Sequence, residues 1–202
     1  MYGYFRRWSQ SGLFDKINLL LVKEVRRKRG RPETPSAAII DSQSVKTSEG
    51  GEEREVDVDK QTPGMKRHIV VDTLGLVLTV LVHSASIQDG KGGMLTLQRL
   101  FDVIKRSKYN SRCRLKKIWA DGAYQDYCLR VLKLLGWILE IVPRNKQAKG
   151  FQVLPKRWIV EPTFGWLGRY RRLARDYEHT VQSSESMTYI ASTRRMLKIA
   201  AI

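Results

Sequence analysis

Residues 117–142 read KIWADGAYQDYCLRVLKLLGWILEIV. A short apolar run, KIWA, gives way to Asp121 and Gly122. QDYCLRVLKLLG then spaces its apolar residues as a helix does, with Gly136 at its end. WILEIV is a second apolar run, stopped by Pro143. Strand, helix and strand in this order form a parallel pair joined by a helical crossover, expected to be right-handed.

Working outward, AAIIDSQSVKT (Ala37–Thr47) predicts a short strand ending at Asp41. MKRHIVVDTLGLVLTVLVHSASI predicts a β-hairpin, rich in Val, Ile and Thr, that turns at DTLG. KGGMLTLQRLFDVIKRS predicts a helix with Met94, Leu97, Leu100, Phe101 and Ile104 on one side. NKQAKGFQVLPKR reads as a basic loop. The stretch from Lys156, KRWIVEPTFGWLGRYRRLARDY, reads as the helix that follows, and the tail from Ser183 as a last helix. Residues 1–25 predict two amphipathic helical pieces broken near Gly12. The run RRKRGRPETPS, basic at five of its first six positions, predicts a linker or extended arm. Between Glu49 and Asp59 six acids fall without calcium-loop spacing, so that segment reads as a mobile loop holding no metal. The sum is an α/β fold: a mixed sheet with antiparallel hairpin edges, parallel centre strands and helices on its faces.

The chain has 202 residues, enough for one good core. It carries 37 Lys and Arg against 20 Asp and Glu, a net charge of +17. Such an excess repels itself unless an anion shares it, and nucleic acid is the first candidate partner. No apolar run is long enough to span a membrane, and the start lacks the apolar stretch of a secretory signal. Two cysteines, Cys113 and Cys128, make neither a disulfide framework nor a zinc site; a cytoplasmic location is expected.

Against this charge three acids stand out. Asp41 and Asp121 both lie where an apolar strand yields to small polar residues, the strand end at which α/β folds gather ligands. If the two strands are parallel neighbours, the side chains can meet. Glu161, set among Lys and Arg, would complete the cluster from a nearby helix. Carboxylates held together stay ionised only beside cations, and oxygen ligands without His or Cys suit Mg²⁺ or Mn²⁺. Two such ions serve phosphodiester chemistry. Spacing alone leaves other readings open: strand-end Asp residues also cap turns, and Glu161 can pair with Arg157 four residues earlier. Pro162 implies either a helix that starts close to Glu161 or one kinked there.

AIIDSQSVKT, IWADGAY and RWIVEPTFGWLGRYRRL resemble the three catalytic blocks of prokaryotic insertion-sequence transposases of the DDE type. The resemblance runs from Tyr4 to about Leu197. It implies a ribonuclease-H-like mixed β-sheet flanked by helices, and a catalytic, metal-binding triad of Asp41, Asp121 and Glu161 with two Mg²⁺ or Mn²⁺ ions. Arg157 matches the family's Arg one helical turn before the Glu. At the family's basic position two turns after it, Gly168 stands with Arg169 next to it. The family's Tyr before the Arg has no counterpart, since Leu154 stands there. The implied partners are double-stranded DNA, as element ends and target, and further copies of the chain as a homodimer or higher multimer. The opening YGYFRRWSQSGLFDKI resembles the close of the family's N-terminal helical region. Residues 1–35 are therefore expected to be a partial helical segment with its linker, residues 36–202 the catalytic domain, and an upstream reading-frame product a further partner.

Expected DNA contacts are Lys66 and Arg67 on the hairpin, with His68 beside them, then Arg157, Trp166, Arg169 and Arg172. An aromatic ring beside Arg can stack on an unpaired base while Arg holds phosphate. Alternation on a half-exposed strand would equally explain Lys66 and His68, and core packing is the expectation for Trp158. Tyr124, just past Asp121, reads as a support for the site or as helix packing. The function expected is metal-dependent cleavage and strand transfer of an insertion sequence. The rivals are a truncated, non-catalytic basic DNA-binding subunit and a metal-dependent nuclease of the same fold.

Overall fold

The computed structural model describes residues 2–47, 52, 55–57, 62–106, 113–143 and 156–201. Two helices open the chain, α1 (Tyr2–Gln10) and α2 (Leu13–Lys28), broken at Gly12, whose φ of 64° is left-handed. Strand β1 (Ala37–Lys46) follows, then a three-residue strand β2 (Glu55–Asp57) and the hairpin β3 (Thr62–Asp72) and β4 (Val77–Ser84). Helix α3 (Asp89–Arg106), β5 (Lys117–Ala120), α4 (Cys128–Leu135) and β6 (Ile138–Ile141) come next. The chain closes with α5 (Val160–Gly168), the short α6 (Arg171–Ala174) and α7 (Val181–Ala200).

The fold is a six-stranded mixed α/β sheet of the ribonuclease-H-like kind. Its path runs β2-β3-β1-β5-β6, with β4 also paired to β3. β3 is antiparallel to β1 and β4, whereas β1, β5 and β6 are parallel. The hairpin turns where expected: Gly75 takes φ 72°, and Asp72 Oδ1 accepts from the backbone N–H of Leu74 and Leu76, both at 2.9 Å. Alternate strand residues feed two cores. Ala38, Ile40, Val70 and Ile118 face α2, α3 and α4. Ile39, Ile69, Val71 and Trp119 face Val160 of α5 and Tyr189 of α7. A sheet covered on both faces explains why its strands read as continuous apolar runs.

Four expectations need correction. β1 does not end at Asp41; it runs on to Lys46, because β3 keeps pairing with it to Gly64. The acidic segment is not wholly loop, since Glu55–Asp57 pairs with Thr62–Gly64 of β3; residues 48–51, 53, 54 and 58–61 lie outside the described residues. The basic run begins inside α2, and Arg26 is buried in an ion pair with Asp72. The stretch from Lys156 is not one helix: a 3₁₀ turn (Arg157–Ile159) leads into α5, and the chain breaks at Arg169–Tyr170 before α6. The basic loop's residues 144–155, Leu154 included, lie outside the described residues. Among those described, no helix is long and apolar enough to cross a membrane.

Candidate active site

The register of the parallel pair builds the site. Ala37, Ala38 and Ile39 stand opposite Lys117, Ile118 and Trp119. Two residues beyond the Ile39–Trp119 pair come Asp41 and Asp121, and side chains two apart share a face. Both acids therefore leave the sheet on the α5 side. β5 ends at Ala120, and Asp121 caps the 3₁₀ turn Gly122–Tyr127, its Oδ1 accepting from the Ala123 N–H at 2.9 Å. Asp41 stays in β1, its Oδ1 accepting from the Ser42 N–H at 2.8 Å.

The 3₁₀ turn ahead of α5 brings Arg157 onto both acids. Its Nη2 stands 3.6 Å from Asp41 Oδ2 and 3.8 Å from Asp121 Oδ2. These separations suit a charge contact and exceed a normal hydrogen bond. The Arg157 Nε is buried and has no hydrogen-bond partner among the described residues. One residue earlier, Lys156 has φ 70° and ψ −43°, a left-handed backbone found at no other non-glycine among the described residues. Such conformations cost about 1–3 kcal/mol and persist only where the surroundings enforce them. The Lys156 ammonium lies 5.0 Å from the centre of the Trp119 ring and 3.9 Å from Glu140 Oε1, which anchors the turn to β5 and β6.

Burial pushes the Asp41 carboxyl up to about 6. The Ser42 N–H and Arg157 offset part of that rise, while Asp121 and Asp89 add to it. Asp89 has no precedent in the sequence reading. It opens α3, accepts from Ser42 Oγ at 3.0 Å and pairs with the Lys66 ammonium at 3.2 Å. Tyr124 packs as one of its two readings expected. Its ring is buried in the core, edge-on to His68. Its hydroxyl is pushed well above its usual range by burial first, then by Asp41, Asp89 and Asp121.

Glu161 lies in the first turn of α5 and is exposed. The helix therefore starts late, and Pro162 falls where a missing N–H costs nothing. The first turn is also where the helix dipole favours a carboxylate. Among the described residues no three His, Cys, Asp or Glu side chains stand close enough to hold a metal ion. The structure thus joins Asp41 and Asp121 through Arg157 and leaves Glu161 outside that pair, four residues beyond Arg157.

Lys66 and Arg67 are placed otherwise than expected. Lys66 is 3% exposed, its ammonium donating to the Ile87 carbonyl at 3.1 Å. Arg67 is 1% exposed, donating to the Leu173 carbonyl at 3.3 Å and facing Asp176 at 3.6 Å. Successive residues of β3 point to opposite faces, and each finds an acid under the helices on its side. Neither reaches a phosphate from there. His68 is buried too, its Nδ1 2.8 Å from His83 Nε2.

Trp158 is 45% exposed, not core. Trp166 is part-exposed, with the Arg169 and Arg195 guanidiniums 5.7 and 5.2 Å from its ring centre. Arg194 lies 5.8 Å from the Tyr170 ring, and Arg175 the same distance from Tyr177. Arg172 is exposed and ion-paired with Glu178. Arg194 and Arg195 belong to this basic, aromatic face although the last helix read only as a packing element. Adjacent arginines in a stripe of small and apolar residues were the available signal.

The family described as "Transposase DDE domain" matches residues 32–193. A relative from Burkholderia cepacia, described as a candidate transposase for insertion sequence element IS402, is 29% identical over 121 residues. That match covers 59% of this chain and 56% of the relative, so the chain spans little more than half of the relative's length. With the family match extending over most of its residues, the chain belongs to the transposase DDE domain family.

Proposed function

We propose that the chain catalyses metal-dependent phosphodiester cleavage and strand transfer of an insertion sequence, with Asp41, Asp121 and Glu161 as its acids. The observation that carries this reading is the convergence of Asp41 and Asp121 on one cation, the Arg157 guanidinium. Burial pushes the Asp41 carboxyl up to about 6, and Arg157 offsets that rise only in part. The donors are hard oxygens, so the residues fit Mg²⁺ or Mn²⁺. Asp41 and Asp121 would hold both ions and Glu161 one of them. When bound, such ions activate an attacking hydroxyl and stabilise the leaving oxygen.

The chain's own residues do the rest. Asp41, its carboxyl pushed up to about 6 by burial, is mostly ionised at neutral pH. The exposed Arg169, Arg171, Arg175 and Arg194 hold backbone phosphates, and Trp166 offers an aromatic surface to an unpaired base. In cleavage a water oxygen bonds to phosphorus, the P–O3′ bond breaks, and the departing oxygen takes a proton to become the 3′-hydroxyl. In joining, that hydroxyl attacks a target phosphorus and displaces the target's own O3′. One phosphodiester replaces another, so no triphosphate is needed.

Two further parts of the reading are proposals of the same kind. Residues 1–35 form a helical segment seated on the catalytic domain of residues 36–202: Val22 and Val25 enter its core, and the Asn18 amide donates to the Val77 carbonyl at 2.7 Å. The working assembly contains element-end and target DNA held by at least two copies of the chain, with an upstream reading-frame product as a further partner.

The test is incubation with end-containing DNA, Mn²⁺ and a target plasmid, read on a gel. Joined product is expected, lost in Asp121→Asn. Cuts without joining would make the protein a nuclease. A metal-independent mobility shift unchanged in Asp121→Asn would make it a binding subunit.

A further inference from the structure

We propose that Arg157 is the resident counter-ion of the Asp41–Asp121 pair, a placeholder that a divalent cation must displace. This rests on the reading of the two aspartates as metal ligands and deepens it. Three observations carry it. The Arg157 Nη2 faces one oxygen of each acid, at 3.6 and 3.8 Å, so its charge stands beside both carboxylates that would hold an ion. Neither contact is a close hydrogen bond, and the buried Nε has no partner among the described residues. A guanidinium that belonged permanently to this place would use its fork of donors on the carboxylates in bidentate fashion. Finally, the backbone beneath it is strained: Lys156, the residue before Arg157, has φ 70°.

The two acids repel each other without a cation, and Arg157 satisfies that need while no metal is bound. A divalent ion then competes with the arginine for the same oxygens. Displaced, the guanidinium remains on the 3₁₀ turn beside the site, where a DNA phosphate can take it up. The contact would thus couple metal entry to substrate holding, and binding of metal alone would be held weak.

The experiment measures Mn²⁺ affinity of the metal-free protein by electron paramagnetic resonance, without DNA, for wild type, Arg157→Gln, Arg157→Lys and Asp41→Asn, with circular dichroism to verify folding. Arg157→Gln is expected to bind Mn²⁺ at least tenfold more tightly than wild type. Arg157→Lys, which keeps the charge without the fork, is expected to gain roughly threefold. Asp41→Asn should lose binding. A residue that merely shaped the site would weaken the ion's hold when removed, so tighter binding separates the two roles. Equal or weaker binding in Arg157→Gln, with binding still lost in Asp41→Asn, overturns the placeholder and leaves the metal reading intact. No Mn²⁺ binding by any folded variant overturns both. Should Arg157→Gln fail to fold, Arg157→Lys decides: affinity at or below wild type overturns the proposal.

Discussion

Asp41 of β1 and Asp121, the residue just past the end of β5, each lie two residues beyond the Ile39–Trp119 pair of these parallel strands. Adjacent strands lie about 5 Å apart, so the register brings both acids to the same end of the sheet, where Arg157 faces each of them. The apolar residues before them fix that register. A slip of one residue would drive Ile39 and Trp119 out of the core that they share with Val160 and Tyr189.

The Asp41 environment has a consequence for stability. Its folded carboxyl titrates near 6, above the value of about 3.8 for a free Asp. The folded state therefore holds the proton more tightly, and the stabilisation this gives is complete below about pH 3.8 and lost as pH rises through 6. At neutral pH the ionised group strains the metal-free fold. Asp41→Asn is expected to raise unfolding free energy by about 1–3 kcal/mol in urea at pH 7.5 with chelator present. The difference between the two proteins should grow between pH 4 and 6 and then level off.

The histidine pair behaves with the opposite sign. His83 Nδ1 lies 2.7 Å from the Ser84 carbonyl, His83 Nε2 2.8 Å from His68 Nδ1, and His68 Nε2 3.2 Å from the Asp89 carbonyl. Burial first, and then the neighbouring His83, hold His68 well below its ordinary value of 6.5. The unfolded chain takes up protons that the folded chain refuses, so this contribution to stability is lost as pH falls below about 6.5. His68→Gln should show a shallower loss of stability between pH 6.5 and 4 than wild type in urea titrations.

Two arginines of the chain predict contrasting outcomes. Arg67→Ala leaves Asp176 buried without its counter-charge and should cost about 3–5 kcal/mol. Arg169→Ala, on the exposed face beside Trp166, should change stability by less than about 0.5 kcal/mol. It should instead weaken DNA binding and lower the slope of log affinity against log salt by about 1.

Glycines in α3 invert a common rule. Replacing a mid-helix glycine by alanine ordinarily adds about 1 kcal/mol. At Gly92 an added Cβ would fall 2.7 Å from His68 Cε1, and at Gly93 it would meet the Tyr124 ring. Gly92→Ala and Gly93→Ala should each destabilise by about 1–3 kcal/mol, measured by thermal unfolding.

Much of the sheet was legible because its strands are buried on both faces and announce themselves as apolar runs. The second half of β1, SQSVK, lacks that signal, since β3 pairs with it while Ser42–Ser44 lie only half buried. The three buried cations Arg26, Lys66 and Arg67 could not be read correctly in advance. Their partners Asp72, Asp89 and Asp176 lie far along the chain, and charge alone suggests solvent or phosphate. Asp121 was legible as a strand-end acid, whereas Asp41 was singled out by the end of its apolar run although β1 continues to Lys46. Their joint contact with Arg157 was not legible, because it depends on how the 3₁₀ turn before α5 sits over the sheet.

The most direct measurement is anomalous diffraction at the manganese edge from crystals soaked in Mn²⁺. The account predicts a peak between the carboxylates of Asp41 and Asp121, with the Arg157 side chain turned away and Glu161 brought to the ion. Arg157 still between the two aspartates, with no anomalous peak there, would contradict it.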